Sequence, residues 1–259
     1  MRQRRDIIRQ IVVVASSVFA VIAAFVGSGA AGGTPINEAA GGALAADATL
    51  IAPAGPAFSI WSIIYVGLLA YAVWQLLPKQ TEAPRHRALG YWIAASLVLN
   101  GMWILSIQFD LLALSVPIIV VLLAVLIQCF RLARSLPPAG TIDAIVTDGT
   151  IGLYLGWVSI ATAANVTALL SAVGFTGFGL PAEVWALVVL AVAAAAGVVT
   201  AIGGAGRIAP AVALSWGLAW VAVGRLTDEP ASSVTGIAAI VAVVIVLATT
   251  VVARIRSAR

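Results

Sequence analysis

The chain has 259 residues, 62% of them hydrophobic and only 9% charged, with a formal net charge of +4. A soluble domain of this length could not keep so much apolar surface from water, so the composition excludes a water-soluble globular protein. The positive balance calls for no nucleic-acid partner, because the basic residues sit in gaps between long apolar runs.

Eight stretches of about 17 to 22 residues carry almost no ionisable side chain, the length a helix needs to cross a bilayer. They are predicted at 8–27, 57–77, 88–108, 111–130, 149–170, 183–202, 208–224 and 234–252. The expected fold class is all-α, a polytopic membrane bundle of about eight transmembrane helices. The first stretch also has the basic start, apolar core and small residues (Gly27–Ala31) of a signal peptide. An uncleaved span is the reading adopted, because seven spans would separate the carboxy terminus from the side its arginines favour.

Of the 14 Lys and Arg residues, all but Arg225 fall on one side if the amino terminus is cytoplasmic. Arg2, Arg4, Arg5 and Arg9 precede the first span, and Lys79, Arg85 and Arg87 follow the second. Arg131 and Arg134 follow the fourth, Arg207 the sixth, and Arg254, Arg256 and Arg259 the eighth. This is the positive-inside pattern of a multi-pass cell-membrane protein with both termini cytoplasmic, in contact with membrane lipids. Cys129, the single cysteine, lies within the fourth span and cannot form an internal disulfide.

Residues 28–56 form the one long loop, outside the membrane. Gly32, Gly33, Pro35, Gly41, Gly42 and Pro53 argue against a long helix there, with room for a short one in 38–48. A loop of this length is a tether or a lid. Asp110 leaves almost no connection between spans three and four, which predicts a tight hairpin. Past residue 175 the spans are dominated by Ala, Val and Gly, which allow close helix packing. The expected division is 1–175 and 176–259.

Polar and aromatic residues concentrate in spans two, three and five. Phe58, Trp61 and Tyr65 recur at i, i+3 and i+7 on one helix face, and Asn100 and Trp103 share another. Tyr154, Trp157, Ala161 and Asn165 form a third stripe. At 1.5 Å of rise per residue, Trp61, Trp103 and Asn165 lie roughly 6 to 8 Å below the outer surface, and Asn100 roughly 12 Å. Trp157 lies near mid-membrane. These side chains could line one aromatic cavity beneath the loop. Each also has an ordinary use: tryptophans gather at the interface, where Trp74, Trp92 and Trp185 are placed, and asparagines bond across helices for about 0.6 to 2 kcal/mol.

Other polar residues suggest no chemistry. His86 is placed in a cytoplasmic loop, with no cluster around it to hold a metal. Asp148 and Glu183 suit the starts of helices, where a carboxylate favours the dipole. No nucleophile–base pair or phosphate loop is present. Neither catalytic residue, metal nor cofactor is expected, and the chain is not read as an enzyme. A transporter of a small hydrophobic or amphipathic solute is the alternative, although the spans lack the midplane charges and duplicated halves common in transporters.

Three motifs make the sequence resemble a known family. The run from Pro53 through Pro56, Phe58 and Trp61 to Tyr65 is similar to the proline-rich loop and second-helix start of the TspO/MBR family, the tryptophan-rich sensory proteins. Leu99, Asn100 and Trp103, followed by Leu112 to Leu114, resemble its third-helix motif, and Tyr154, Trp157, Ala161 and Asn165 its fifth-helix signature. The resemblance covers about residues 8–172 and implies a five-helix core followed by three additional helices. It implies a sensor or receptor in which Trp61, Asn100, Trp103 and Trp157 line a pocket, with Phe58, Tyr65 and Asn165 nearby. The implied partner is a hydrophobic small molecule of porphyrin or tetrapyrrole type, and a homodimer is left open. The basic cholesterol motif of that family has no counterpart, since no Lys or Arg lies between Arg134 and Arg207.

Overall fold

A computed structural model describes residues 4–30 and 32–258; Arg2, Arg259 and Ala31 of the sequence argument lie outside the described residues. Among these residues the chain is helical without strands. Eight helices are long and apolar enough to cross a membrane. Their α-helical parts are α1 (Arg4–Gly27), α2 (Ile60–Trp74), α3 (Pro84–Gln108), α4 (Leu112–Ser135), α5 (Thr150–Ala172), α6 (Ala182–Gly203), α7 (Ile208–Thr227) and α8 (Ser233–Ser257), and a 3-10 turn Gly55–Ser59 extends the second span to Gly55–Trp74. This is a polytopic helical membrane protein, and each predicted span falls on one of them.

Local chemistry explains most boundaries. Pro56 and Pro84 stand at helix starts, where a missing N–H removes no bond. The Ser232 side chain caps α8 by accepting from the amide of Thr235. The α3–α4 hairpin turns on Asp110 at φ +59°, a left-handed position that aspartate tolerates. Helical structure begins before the apolar run of α5, with the short helix Thr141–Asp143 and a wide π-type turn Ala144–Gly149 leading into it.

The packing order is α1 on α3, α3 on α4, α4 on α5, α5 on α7, α7 on α8 and α8 on α6. Helix α5 is therefore shared, closing the first five helices on one face and meeting α7 on the other. Helix α2 is the loosest member, with limited contacts to α1 and α5. Its far end is tied down by polar groups: Gln10 donates to the Gln75 carbonyl (2.8 Å) and to Thr81 Oγ1 (3.0 Å), and Arg9 donates to the Thr81 carbonyl (2.9 Å). The loop-side half of α2 is the part free to stand away from α1.

With eight spans, the start of α1 and the end of α8 lie on one face, the arginine-rich one, and the loop between α1 and α2 on the other. That loop is a folded roof. Gln108 and Thr34 exchange two hydrogen bonds (2.6 and 3.1 Å), and the amide of Ala40 donates to Asp110 Oδ1 (3.1 Å), which pins its first half to the α3–α4 hairpin. The helix allowed within 38–48 is a single turn, Ala40–Gly42.

The arginine-rich face holds a correction. His86 is fully buried in the first turn of α3, 3.1 Å from Gln80 Oε1 and 3.7 Å from Asp143 Oδ1. Asp148 is also more than a helix-dipole partner. It accepts from Arg85 (2.5 Å) and Arg207 (2.9 Å), joining α3 to the α6–α7 connection.

Candidate ligand cavity

The three aromatic stripes converge under the roof. Phe58, Trp61, Asn100, Trp103, Trp157 and Asn165 line one small cavity of about 50 Å³, closed above by loop residues that include Thr49, Ala52 and Pro53. A larger cavity of about 500 Å³ lies beside it between α1 and α2, bordered by Gly27, Ala46, Ser62 and Tyr65 among others. Phe58, Trp61 and Trp103 line both and form the wall between them. The seven residues singled out in the sequence thus surround two adjoining spaces. Trp61 contacts Tyr65, Tyr154 and Trp157 with ring centroids 5.5, 5.8 and 6.2 Å apart, and Phe58 meets Trp157 edge-on at 5.8 Å.

Their polar atoms divide into two groups. Trp103 Nε1 donates to Asn165 Oδ1 (2.7 Å), and Asn165 Nδ2 donates to Ser115 Oγ (2.9 Å). This Trp103–Asn165–Ser115 chain ties α3, α5 and α4 together, so Asn165 is largely occupied. Tyr65 donates to Asn100 Oδ1 at 2.5 Å, joining α2 to α3. The second group is unspent. Asn100 Nδ2 and Trp157 Nε1 are buried donors without a hydrogen-bond partner, and both residues border the small cavity. A buried donor left unpaired costs about 1 to 3 kcal/mol, so an acceptor placed here is worth having. The cavity walls bring no cation, and among the described residues no group of His, Cys, Asp and Glu could hold a metal ion.

Sequence reasoning missed two contributors. Ser115 was one hydroxyl at the loop-side start of an apolar helix, and its bond to Asn165 is a tertiary fact. The sequence marks Arg225 only as the lone arginine on the outer side. It is 1% exposed and donates to the carbonyls of Ala46 (2.7 Å), Thr49 (3.2 Å) and Pro230 (3.0 Å), so α7 grips the roof. Its violation of the charge pattern was the available signal.

The assigned interfacial tryptophans lie away from both cavities. Trp92 is exposed, and Trp185 donates to the Gly177 carbonyl within a cluster with Phe175 and Phe178.

Among known proteins, a family described as TSPO-like protein matches residues 11–252 of this chain, from within α1 to within α8. The match runs past the five spans that carried the sequence resemblance. No curated protein and no solved structure gives a match.

Proposed function

Since this chain belongs to the TSPO-like protein family, we propose that it is a membrane sensor or binding protein for a planar hydrophobic ligand of porphyrin or tetrapyrrole type. The observation that carries this reading is the pair of unpartnered donors, Asn100 Nδ2 and Trp157 Nε1, at the wall of an aromatic cavity. Indole faces stack on a flat ring, and the two N–H groups suit an acceptor on its edge. The small cavity holds only a water or two. A macrocycle therefore occupies the larger space between α1 and α2 and reaches the donors by displacing Phe58 and Trp61. The absence of His or Cys from these walls favours a metal-free ring over haem. No reaction is part of this reading.

Protoporphyrin should quench the tryptophan fluorescence of the purified protein saturably. Trp61→Phe combined with Trp157→Phe should weaken binding by roughly tenfold, the loss of two good aromatic contacts. Trp74→Phe with Trp92→Phe should leave affinity unchanged. Equal effects of the two pairs, or quenching that never saturates, would sink the pocket. Saturable uptake of the ligand into proteoliposomes would replace the sensor by the transporter.

The reading includes a cell membrane with both termini cytoplasmic, supported by the arginine distribution. Cysteine introduced at exposed Asn37 should react with an impermeant thiol reagent in intact cells, and at exposed Lys79 only after lysis. The native Cys129 is fully buried and stays silent. The reverse pattern would invert the topology and turn the roof inward.

A further inference from the structure

Arg225 is an arginine on the wrong side of the membrane by the rule that every other basic residue obeys. At the end of a membrane helix an arginine ordinarily extends its long stem and leaves the guanidinium in water or headgroups. Here the side chain is turned inward and 1% exposed, although Asp228 and Glu229 follow three and four residues later in the chain. Three of its bonds go to backbone carbonyls, and two of those carbonyls, Ala46 and Thr49, belong to the roof. Ala46 borders the larger cavity and Thr49 the smaller. The grip therefore falls on one roof residue at the border of each space.

The same helix holds the chain twice more, at the end of the roof and in the turn that follows it. The amide of Ala54 donates to the Trp220 carbonyl (3.1 Å), and Trp216 Nε1 donates to the Ala57 carbonyl (2.9 Å). Arg225, Trp220 and Trp216 descend α7 one turn at a time, and their partners run in order along the chain from Ala46 to Ala57. The second half of the roof is thus laid along α7, as its first half is laid on the α3–α4 hairpin. Helix α7 is in turn backed by α8 and α6.

We infer that the three C-terminal helices serve as the holder of the cavity's roof, with Arg225 as the positioning residue that keeps residues 46–54 closed and sets how long a bound ligand stays. The ligand part of this inference rests on the binding reading above; the closure of the roof does not. A charge-assisted grip on two carbonyls is the strongest of the three attachments. Its removal frees the roof while the bundle below, to which Arg225 gives no side-chain hydrogen bond, stays folded.

Backbone hydrogen exchange on the ligand-free protein tests closure directly. Arg225→Ala should speed exchange across residues 46–54 on the order of tenfold or more, the expected return from losing hydrogen bonds to a charged donor. Exchange within α3 and α4 should remain as in the wild type. Arg225→Lys should restore part of the protection, since an ammonium can still donate to one or two carbonyls. Trp216→Phe, which deletes one neutral bond, should give a smaller rise confined to residues near Ala57. With protoporphyrin, Arg225→Ala should raise the dissociation rate by a similar factor and change the association rate less. Unchanged exchange over 46–54 in a folded Arg225→Ala protein would overturn the inference, as would a uniform rise across the whole chain. If the wild type binds no porphyrin, the ligand reading fails while the exchange result still decides the role of α7.

Discussion

Replacing Arg85 by methionine is expected to cost about 3 kcal/mol or more of stability, the usual penalty for leaving buried charge unpaired. Arg85 is 5% exposed and lies at the centre of the arginine-rich face. Its guanidinium reaches Asp148 at 2.5 Å and Asp143 at 3.5 Å, and donates to the carbonyls of Ala133 and Leu136. Methionine fills the stem volume but supplies no donor. Asp143, 1% exposed, would keep only its bonds from the Ala139 amide and Thr147, and Asp148 would keep only Arg207. Asp143 would then be a buried carboxylate with no arginine beside it, and Asp148 would have lost one of its two. The unfolding midpoint in detergent should fall on the order of 10 °C. Exposed Arg131→Met should leave it in place. Adding Asp143→Asn and Asp148→Asn to Arg85→Met should recover part of the loss, because removing all the charges is less damaging than removing one side. A midpoint for Arg85→Met equal to that of Arg131→Met would show that this network carries no stability.

How far the sequence reaches is visible in these residues. Apolar length fixed the eight spans because hydrocarbon thickness leaves one solution for each run. Spacing along the chain brought Phe58, Trp61 and Tyr65 to one face, and their place in the outer half of the bilayer brought them near Trp103 and Asn100, with Trp157 deeper. Both are properties of one helix and a flat bilayer. What stayed hidden depends on which helix meets which. Arg85, Asp143, Asp148 and Arg207 are spread over 123 positions (from 85 to 207), and nothing in the sequence joins them. The wide turn Ala144–Gly149 carries helical structure past the apolar run and makes Asp148 an ion-pair partner as well as a helix-start carboxylate, and Asp143 just before it faces His86, which is buried rather than in an open loop. Arg225 could be seen as an exception but not explained, because its partners lie 176 and 179 residues away. The boundary drawn near residue 175 follows composition, whereas the contacts of α5 with α7 cross it.

Those crossing contacts carry the second large expectation. Gly156→Leu should prevent α5 and α7 from seating and leave little folded protein. A Cβ at Gly156 would fall on the carbonyl oxygen of Pro210 and 2.9 Å from the amide nitrogen of Leu214. Both are backbone atoms of α7, so no side-chain rotation relieves the overlap. One turn earlier, a Cβ at Gly152 would lie 2.7 Å from the Ala209 Cβ and 2.9 Å from Pro210 Cδ. The two glycines therefore form a flat stripe against which the first turns of α7 rest, the close approach that small residues permit in lipid. Overpacking a tight contact costs about 1 to 3 kcal/mol when neighbours can adjust. Here the adjusting element would be a whole helix, so the upper end or beyond is expected. Gly203→Ala is the matched control, since a Cβ there meets nothing within 4 Å; its effect should stay within about 0.5 kcal/mol. Size-exclusion profiles and unfolding midpoints of the two variants decide the matter. If Gly156→Leu elutes and unfolds like the wild type, α5 and α7 are not in backbone contact. In that case α7 could not hold the roof through Arg225, because the helix that grips the loop would itself be unanchored.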